Sequence, residues 1–600
     1  LQALGLHASG AGLDRGAVPA SDGGRDRRTV HIDPSVVTSG DGTRASPYRT
    51  WAEVRFEPGV SYRQKRGTIA REEILVDVSG NPGAPVRIGA YGVGAMPVIQ
   101  GSEIEKGWLP VRQTGVYRKT IEASHGATGP GLAIEDGVPL AHLAWDTDCS
   151  TTFAAARNGS YSFDPGTRTV YVRCTDGLSP DSHVMEISRR YFGIHGYRRR
   201  FVEIHGLHIR YVSLHGIRFE DSSRIDVRDC FVEKLGGAVI LTEPFPIQAG
   251  NGIEFGNSCS FCTVRDSVIR DIFDSGISPQ IYSDGHAASE FTFSNCAISR
   301  CGFAGLEVVV LESGTNSVLR DVTARNLTIT DSGTGWSGVR WAVEGRGIKV
   351  DAAGMGSRVS GVRIEGCSVS GAVSEGVYIG GEAGRVVIKR CVVCDSGLDG
   401  VLVTGSGTTT GLSLEASLIS ANGFGADRRS GVVVNAPNGT GFALIHNTVV
   451  DNNLSGLLVW DTAGAFTLVN NLFHGRSYRA HLVTGRALPA NARVTGNFLT
   501  EYGPGKHIVA CNAGSEPVTF DAAAAFEAAH ACASGNLGAP DPLLADPENG
   551  AFSLRGAASP CRGAGVAVPG VDTDLAGNLF GDPPSIGAYE HGGGRSGDAP

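Results

Sequence analysis

Down the middle of the chain a short phrase recurs, a glycine followed by apolar residues that alternate with residues of mixed polarity. It reads GIRFE at 216–220, GAVIL at 237–241, GISPQ at 276–280, GLEVV at 305–309, GIKVD at 347–351, GVYIG at 376–380, GVLVT at 400–404, GVVVN at 431–435 and GLLVW at 456–460. Alternation with period two turns one set of side chains inward and the other outward, which predicts a strand in each copy. Copies repeated at such intervals bury their apolar faces only by stacking on one another, so one long stacked object is expected. A second phrase runs through the same region as VRDCFV, VRDSVI, FSNCAI, RNLTI, IEGCSV, IKRCVV, LEASLI and HNTVV. One slot of it holds Cys230, Ser267, Cys296, Leu327, Cys367, Cys391, Ser417 and Thr448. That series predicts an inward stack of small side chains, in which Cys packs as a small hydrophobe.

Composition reinforces this picture. The 600 residues alone would argue for roughly four domains, but a stacked coil lengthens without widening its core. Glycine stands at 85 positions and Met at 3, and the Val, Ile and Leu runs are punctuated by Gly, Asn, Asp and Ser, so an all-β protein is expected. A net charge of -9 with interspersed signs argues against a nucleic-acid binder; DGGRDRRTV and GYRRRF (196–201) are the basic clusters. No run approaches the ~18 apolar residues of a membrane-spanning helix, so no membrane partner is expected. The opening LQALGLHASG lacks a signal-peptide pattern, and the chain is read as an exported protein, secreted or periplasmic, whose signal has been removed.

Thirteen cysteines and several histidines raise the question of metals. Cys259 and Cys262 in NSCSFCTV have no second pair to complete a zinc site, and His195, His205, His208 and His215 lack an accompanying ligand pattern. Both groups are read as structural. No cofactor or metal is expected, calcium being left open without a ligand set to support it. Cys149 with Cys174 and Cys511 with Cys532 are the disulfides expected of an exported chain.

Residues 1–29 and 591–600 show no periodicity and are expected to be disordered. From 30 to 108, VSGNPGAPVRIGAYGVGAMPVIQGSEIEKGW resembles the opening of right-handed parallel β-helix proteins, where a capping segment leads into the first coils through a Gly-rich turn, a YG step and a P-x-I-x-G strand. From 109 to 190, YRKTI, AIEDGVPLAHLAW, GSYSFDPGTRTVYVRC and HVMEISRR read as short strands between turns, the spacing of a small β-sandwich. Similar DG-x-P-L and T-V-Y-V strands are inserted in β-helical glycosidases of the xylosidase and fucosidase type. Residues 191–500 carry the repeats. From 501 to 590, APDPLLADPENGAFSL, AASPCRGAG, DTDLAGN and SIGAYE resemble the closing segment of secreted β-helix proteins, and FDAAAAFEAAH (520–530) reads as a short helix. A right-handed parallel β-helix with an inserted sandwich and caps at both ends, of the pectate-lyase-like superfamily, is what these resemblances imply.

The chemistry is expected at the outward positions of the first phrase. Charge concentrates in the coils beginning at Gly305 and Gly347, where Glu307 would stand beside Lys349, with Asp351 two residues along. Carboxylates so placed lie roughly 7 to 8 Å apart at the backbone, within the range of paired acids in glycoside hydrolysis. A surface ion-pair ladder leaves the same pattern. Extra chain before the Lys349 coil brings Trp336, Arg340, Trp341, Glu344 and Arg346, aromatic faces for sugar rings and guanidiniums for carboxylates. The segment 280–290 adds Gln280, Tyr282, Asp284 and His286, and Tyr378 stands on the following coil.

Three readings follow. A glycoside hydrolase uses Glu307 and Asp351 as its acid and nucleophile or base, with Lys349 tuning them and a polysaccharide or oligosaccharide held by the aromatic and charged residues. Alternatively, GRGIKVD resembles the strand bearing the base lysine of some β-helical pectate lyases, which implies a polysaccharide lyase or uronate epimerase with Lys349 as base, although their adjacent aspartates have no counterpart here. A non-catalytic, tailspike-like glycan-binding protein is the third.

Overall fold

The computed structural model describes residues 28–112, 114–122, 129–143, 157–241, 247–335, 344–405, 410–425, 429–462, 464, 466–475, 480–512 and 516–590. Its body is a coil of strands in three parallel sheets. The first has 15 strands, from Thr29–Ile32 to Ala533–Ser534; the second has 14, from Ile69–Ala70 to Leu537–Ala539; the third also has 14, from Ile74–Leu75 to Val518–Phe520. Each turn of the coil contributes one strand to each sheet, and each strand pairs in register with its equivalents one turn away, which is the parallel β-helix.

The corner from the first sheet to the second shows how the second phrase encodes a turn. A residue with positive φ precedes each slot: Asp229, Asp266, Asn295, Asn326, Arg390, His446 and Asn470 all fall between 51° and 57°. Asn, Asp and Gly tolerate this left-handed conformation best, and Gly366 and Gly496 supply it elsewhere. The next residue points inward and joins the turns of the coil: the amide of Cys230 donates to Ser267 Oγ at 3.1 Å and that of Cys391 to Ser417 Oγ at 3.0 Å. Beyond Ser417 the slot becomes asparagine. Asn447, Asn471, Asn497 and Asn536 each accept at Oδ1 from the backbone amide of the preceding rung at 2.9 to 3.0 Å. Thr448 is therefore displaced one step from the position the sequence pattern assigned to it, and Asn447 takes its place.

The repeat reading needs a second correction. GAVIL is not a coil: Ala238–Leu241 pairs antiparallel with Ile247–Ala249 as a hairpin outside the helix. The strand next to His215–Glu220 is Ile253–Gly256, from the GIEFG that follows the hairpin, so the chain leaves the stack at Gly237 and re-enters it at Gly252.

The chain leaves the stack once more between Ser102 and Ser188, forming antiparallel-rich sheets of four and five strands. Ala133, Met185 and Ile187 from one and Tyr161, Phe163, Val170 and Val172 from the other enter a single apolar cluster. The helix is continuous beneath the excursion, since Ile194 pairs directly with Ile74. After the last coils and the helix Ala523–Ala529, the chain runs back along the body. Leu544, Phe552, Leu554 and Ile586 fold back against Leu418, Val450, Leu472 and Phe498 on the outer face of the second sheet. The end itself is blunted by Val518–Phe520, which adds antiparallel to Val509–Cys511, and by Phe526, which is fully buried.

Candidate functional site

On the third sheet one outward row runs across six strands: Arg218 pairs with Glu254 and Glu254 with Ser278, and further along Glu307 pairs with Lys349 and Lys349 with Tyr378. Ile277 pairs with Leu306, which puts Ser278 beside Glu307. The adjacency of Glu307 and Lys349, with Asp351 one outward step along, is as the pattern predicts. These charges are not a solvated ladder, however, since Glu254 is 1 %, Glu307 4 % and Lys349 9 % exposed. Buried charge persists only where it is paired and hydrogen-bonded.

At the centre, Glu307 Oε2 accepts from Ser275 Oγ at 2.9 Å and Ser278 Oγ at 3.2 Å, while Oε1 lies 3.6 Å from Lys349 Nζ. The ammonium also sits 4.6 Å from the centre of the Phe303 ring. Asp351 is more open. Burial raises its carboxyl above the usual range, Glu307 adding to the effect and Lys349 and Arg346 opposing it. Its neighbour across the ladder is Gly380, where a Cβ would lie 2.7 Å from the Tyr378 hydroxyl and 2.9 Å from Asp351 Oδ1. The bare backbone at Gly380 is what lets the phenol and the carboxylate meet over it.

Two flanks close on this centre. On one side Glu254 accepts from Arg218 Nε at 2.9 Å, Asn251 Nδ2 at 2.9 Å and Gln280 Nε2 at 2.7 Å. Burial opposes its charge, but His215 and Arg218 outweigh it and hold the carboxyl low. Tyr282 joins this flank by accepting from Arg218 at 2.6 Å. On the other side Arg346 stacks 4.1 Å from the Tyr378 ring, donates to Glu375 Oε2 at 2.9 Å and pairs with Glu344. Asp284 and His286 do not join the site. The chain from Tyr282 to His286 is a tight connection between the third and first sheets, in which Asp284 accepts from Asn316 at 3.2 Å and His286 contacts Ser258 at 2.8 Å. Trp336, Arg340 and Trp341 lie outside the described residues.

The structure adds three carboxyl groups to those read from the sequence. Glu254 belongs to the overlooked GIEFG copy. Asp274 is pushed up to about 8, by burial first and then by Glu307 and Glu254, so near neutral pH it largely holds its proton. Glu375 is tied to Arg346 and to Ser374 Oγ at 2.8 Å. Asp274 and Glu375 stand just before the glycine of a phrase, in FDSG and SEG, and an acid at that place was the signal available.

Three of the four histidines read as structural pair with a carboxylate. His195 lies 2.9 Å from Glu73, His208 3.1 Å from Glu233 and His215 3.2 Å from Glu254; burial drives His215 down to about 4. The thiols of Cys259 and Cys262 donate to backbone carbonyls at 3.4 Å. Cys174, Cys511 and Cys532 carry free thiols, against the disulfides expected for them, and Cys149 lies outside the described residues.

Residues 249–499 match the family model of the right handed beta helix region. Among solved structures, the complex of XylC with xylose is 14% identical over 93% of this chain and 98% of that one, with a TM-score of 0.52. A glycoside hydrolase is 11% identical over 88% and 99% with a TM-score of 0.40, and the pectate lyase Pel9A 12% identical over 95% and 98% with a TM-score of 0.37. No curated protein matches the sequence. The family model and the likeness to the XylC complex, taken with the strand pairing, show the architecture: the chain is a right-handed parallel β-helix protein.

Proposed function

We propose that the protein is a glycoside hydrolase that cleaves a neutral polysaccharide or oligosaccharide over the third sheet, with Asp351 and Glu307 as its reacting carboxylates. The observation that carries this reading is the placement of two carboxylates on adjacent strands, one beside the Lys349 ammonium and the other within its field and with its carboxyl raised by burial. Paired acids in unlike environments are what glycoside hydrolysis requires, one to protonate the leaving oxygen and one to act as nucleophile or base. Asp351, open at Gly380 and raised, is the proton donor. Glu307, with two hydroxyl donors and an ammonium, is the fixed carboxylate, and Lys349 between them sets the charge each sees.

The acid-rich floor supports neutral sugars. Glu254, Asp274, Glu307, Asp351 and Glu375 face Arg218, Arg346 and Lys349, and both arginines are already held by carboxylates. A lyase or epimerase would need a cation free to neutralise a uronate and a neutral amine as base. Lys349 is instead engaged by Glu307 and Phe303. Tyr378, with Trp336 and Trp341 on the neighbouring segment, is assigned to sugar binding.

The test is incubation with panels of neutral and uronic-acid glycans, following both reducing ends and the ultraviolet absorbance of an unsaturated product. Reducing ends without absorbance are expected. New absorbance would overturn the hydrolase reading in favour of a lyase, and silence on every glycan that the protein binds would leave a binding protein.

A further inference from the structure

The excursion between Ser102 and Ser188 holds a cluster that the proposed chemistry does not use. Glu135 ends the strand Ala133–Glu135 of the four-stranded sheet. Cys174 follows Thr169–Arg173 of the five-stranded sheet, and His183 lies in the connection that leads to Met185–Ser188. Ligand atoms of Glu135, Cys174 and His183 all lie within 4.8 Å of one another. The residues are 39 and 9 positions apart in sequence, which is why no ligand spacing was visible there.

Cys174 differs from the cysteines of the coil. Cys230, Cys296, Cys301, Cys367 and Cys391 each donate to a backbone carbonyl at 3.2 to 3.8 Å. Cys174 is fully buried, and its sulfur makes no hydrogen bond among the described residues, though it is aimed at Glu135 and His183. The imidazole is oriented from both sides. Its Nδ1 lies 3.5 Å from Glu135 Oε1 and 2.8 Å from Asp136 Oδ2, while Nε2 lies 3.3 Å from Asp176 Oδ1. A carboxylate on the far nitrogen is the usual way a metal-binding histidine is fixed.

We propose that this cluster is a zinc site, with Cys174 Sγ, His183 Nδ1 and Glu135 as protein ligands, a water in the fourth position, and Asp136 and Asp176 flanking the imidazole as outer partners. One sulfur, one nitrogen and one carboxylate oxygen form the mixed donor set that suits Zn2+. As the metal–sulfur bond forms, the thiol proton leaves to solvent. The site staples the two small sheets together. It also fixes the turn Asp136–Gly137, whose glycine carbonyl accepts from Lys234 Nζ at 2.9 Å and Tyr211 Oη at 3.2 Å on the helix. Zinc would thus hold the excursion against the coil beside the hairpin 238–249.

The test uses the full chain, stripped with a chelator under reductant and titrated with Zn2+ by calorimetry, bound zinc being counted by elemental analysis. One equivalent is expected, with Co2+ giving a sulfur-to-metal charge-transfer band and zinc increasing amide protection in 133–138 and 169–188. Cys174→Ser and His183→Gln should each weaken binding by at least about 10- to 100-fold. Because a substitution at buried Cys174 also perturbs packing, the exposed outer partner gives a second probe: Asp136→Asn is expected to weaken zinc about tenfold with the helix intact. Absence of zinc binding, unchanged affinity in the variants, or a disulfide between Cys174 and Cys149 by peptide mapping would overturn the proposal.

Discussion

One outward row of the third sheet passes through two halves of the helix that share register and inward packing and differ in what the row carries. From Glu254 to Tyr378 it carries Glu, Ser, Glu, Lys and Tyr; beyond Tyr378 it continues as Leu402, Val433, Leu458 and Val483. The inward residues are alike in both halves, Leu306, Ile348 and Ile379 in one and Val403, Val434 and Val459 in the other, all buried. In a solenoid each turn is stabilised by its neighbours through that inward set, so the outward row is free to hold chemistry in one stretch and none in the next. The corner ladder divides near the same place, thiols and hydroxyls before Ser417 and asparagines after it.

Experiments can break this contrast at several points. The largest effect is expected from Asp351→Asn and Glu307→Gln, each lowering kcat about 10²- to 10⁴-fold on the substrate that the glycan panel identifies, with the thermal midpoint little changed in Asp351→Asn and lowered in Glu307→Gln, which leaves Lys349 buried without its carboxylate. Full activity in either would remove the assignment. Lys349→Met leaves Glu307 buried without its cation and should cost about 3 to 5 kcal/mol in chemical denaturation. Asn471→Ala removes the acceptor of the Asn447 amide and the donor to Leu444, at a cost of about 2 to 3 kcal/mol. Cys391→Ala in the other half of the ladder should cost only about 1 kcal/mol, because a thiol is a weak donor. Equal losses would mean that the two ladders do not differ in kind.

Smaller effects concern pH and close packing. Asp274 is raised to about 8 in the folded chain against the ordinary aspartate value of 3.8, so between those values the native state binds the additional proton. Stability from this group is therefore present at low pH and lost as pH rises toward 8, and Asp274→Asn should flatten that slope in denaturant midpoints measured at several pH values. Gly380→Ala places a methyl between Tyr378 and Asp351 and should raise KM more than it lowers kcat. In the apolar half, Val433→Thr should change activity by less than twofold; a larger change would extend the site beyond Tyr378.

Much of the coil was legible in the sequence because its period is local. Alternation gives the strands, and the corner phrase marks a left-handed residue before an inward slot. Two readings were changed by the tertiary structure. GAVIL satisfies the alternation and still forms a hairpin outside the stack, because alternation records a half-buried strand and not its partner. Asp284 and His286 were read as site residues from loop length, whereas the chain there makes the ordinary turn between sheets. At the site itself Glu307, Lys349 and Asp351 were found by register, while Asp274 and Glu375 precede the phrase and were not.

The sequence by itself determined the stacking, the direction of each strand's faces and the adjacency of Glu307 and Lys349, because all three follow from a period of two and a repeat. Tertiary structure alone decided that the charged centre of the row is buried, that the Asp274 carboxyl is raised by its surroundings, and that Glu135, Cys174 and His183 come within 4.8 Å of one another. Burial and electrostatic fields depend on which distant segments cover a surface, and no local pattern encodes that.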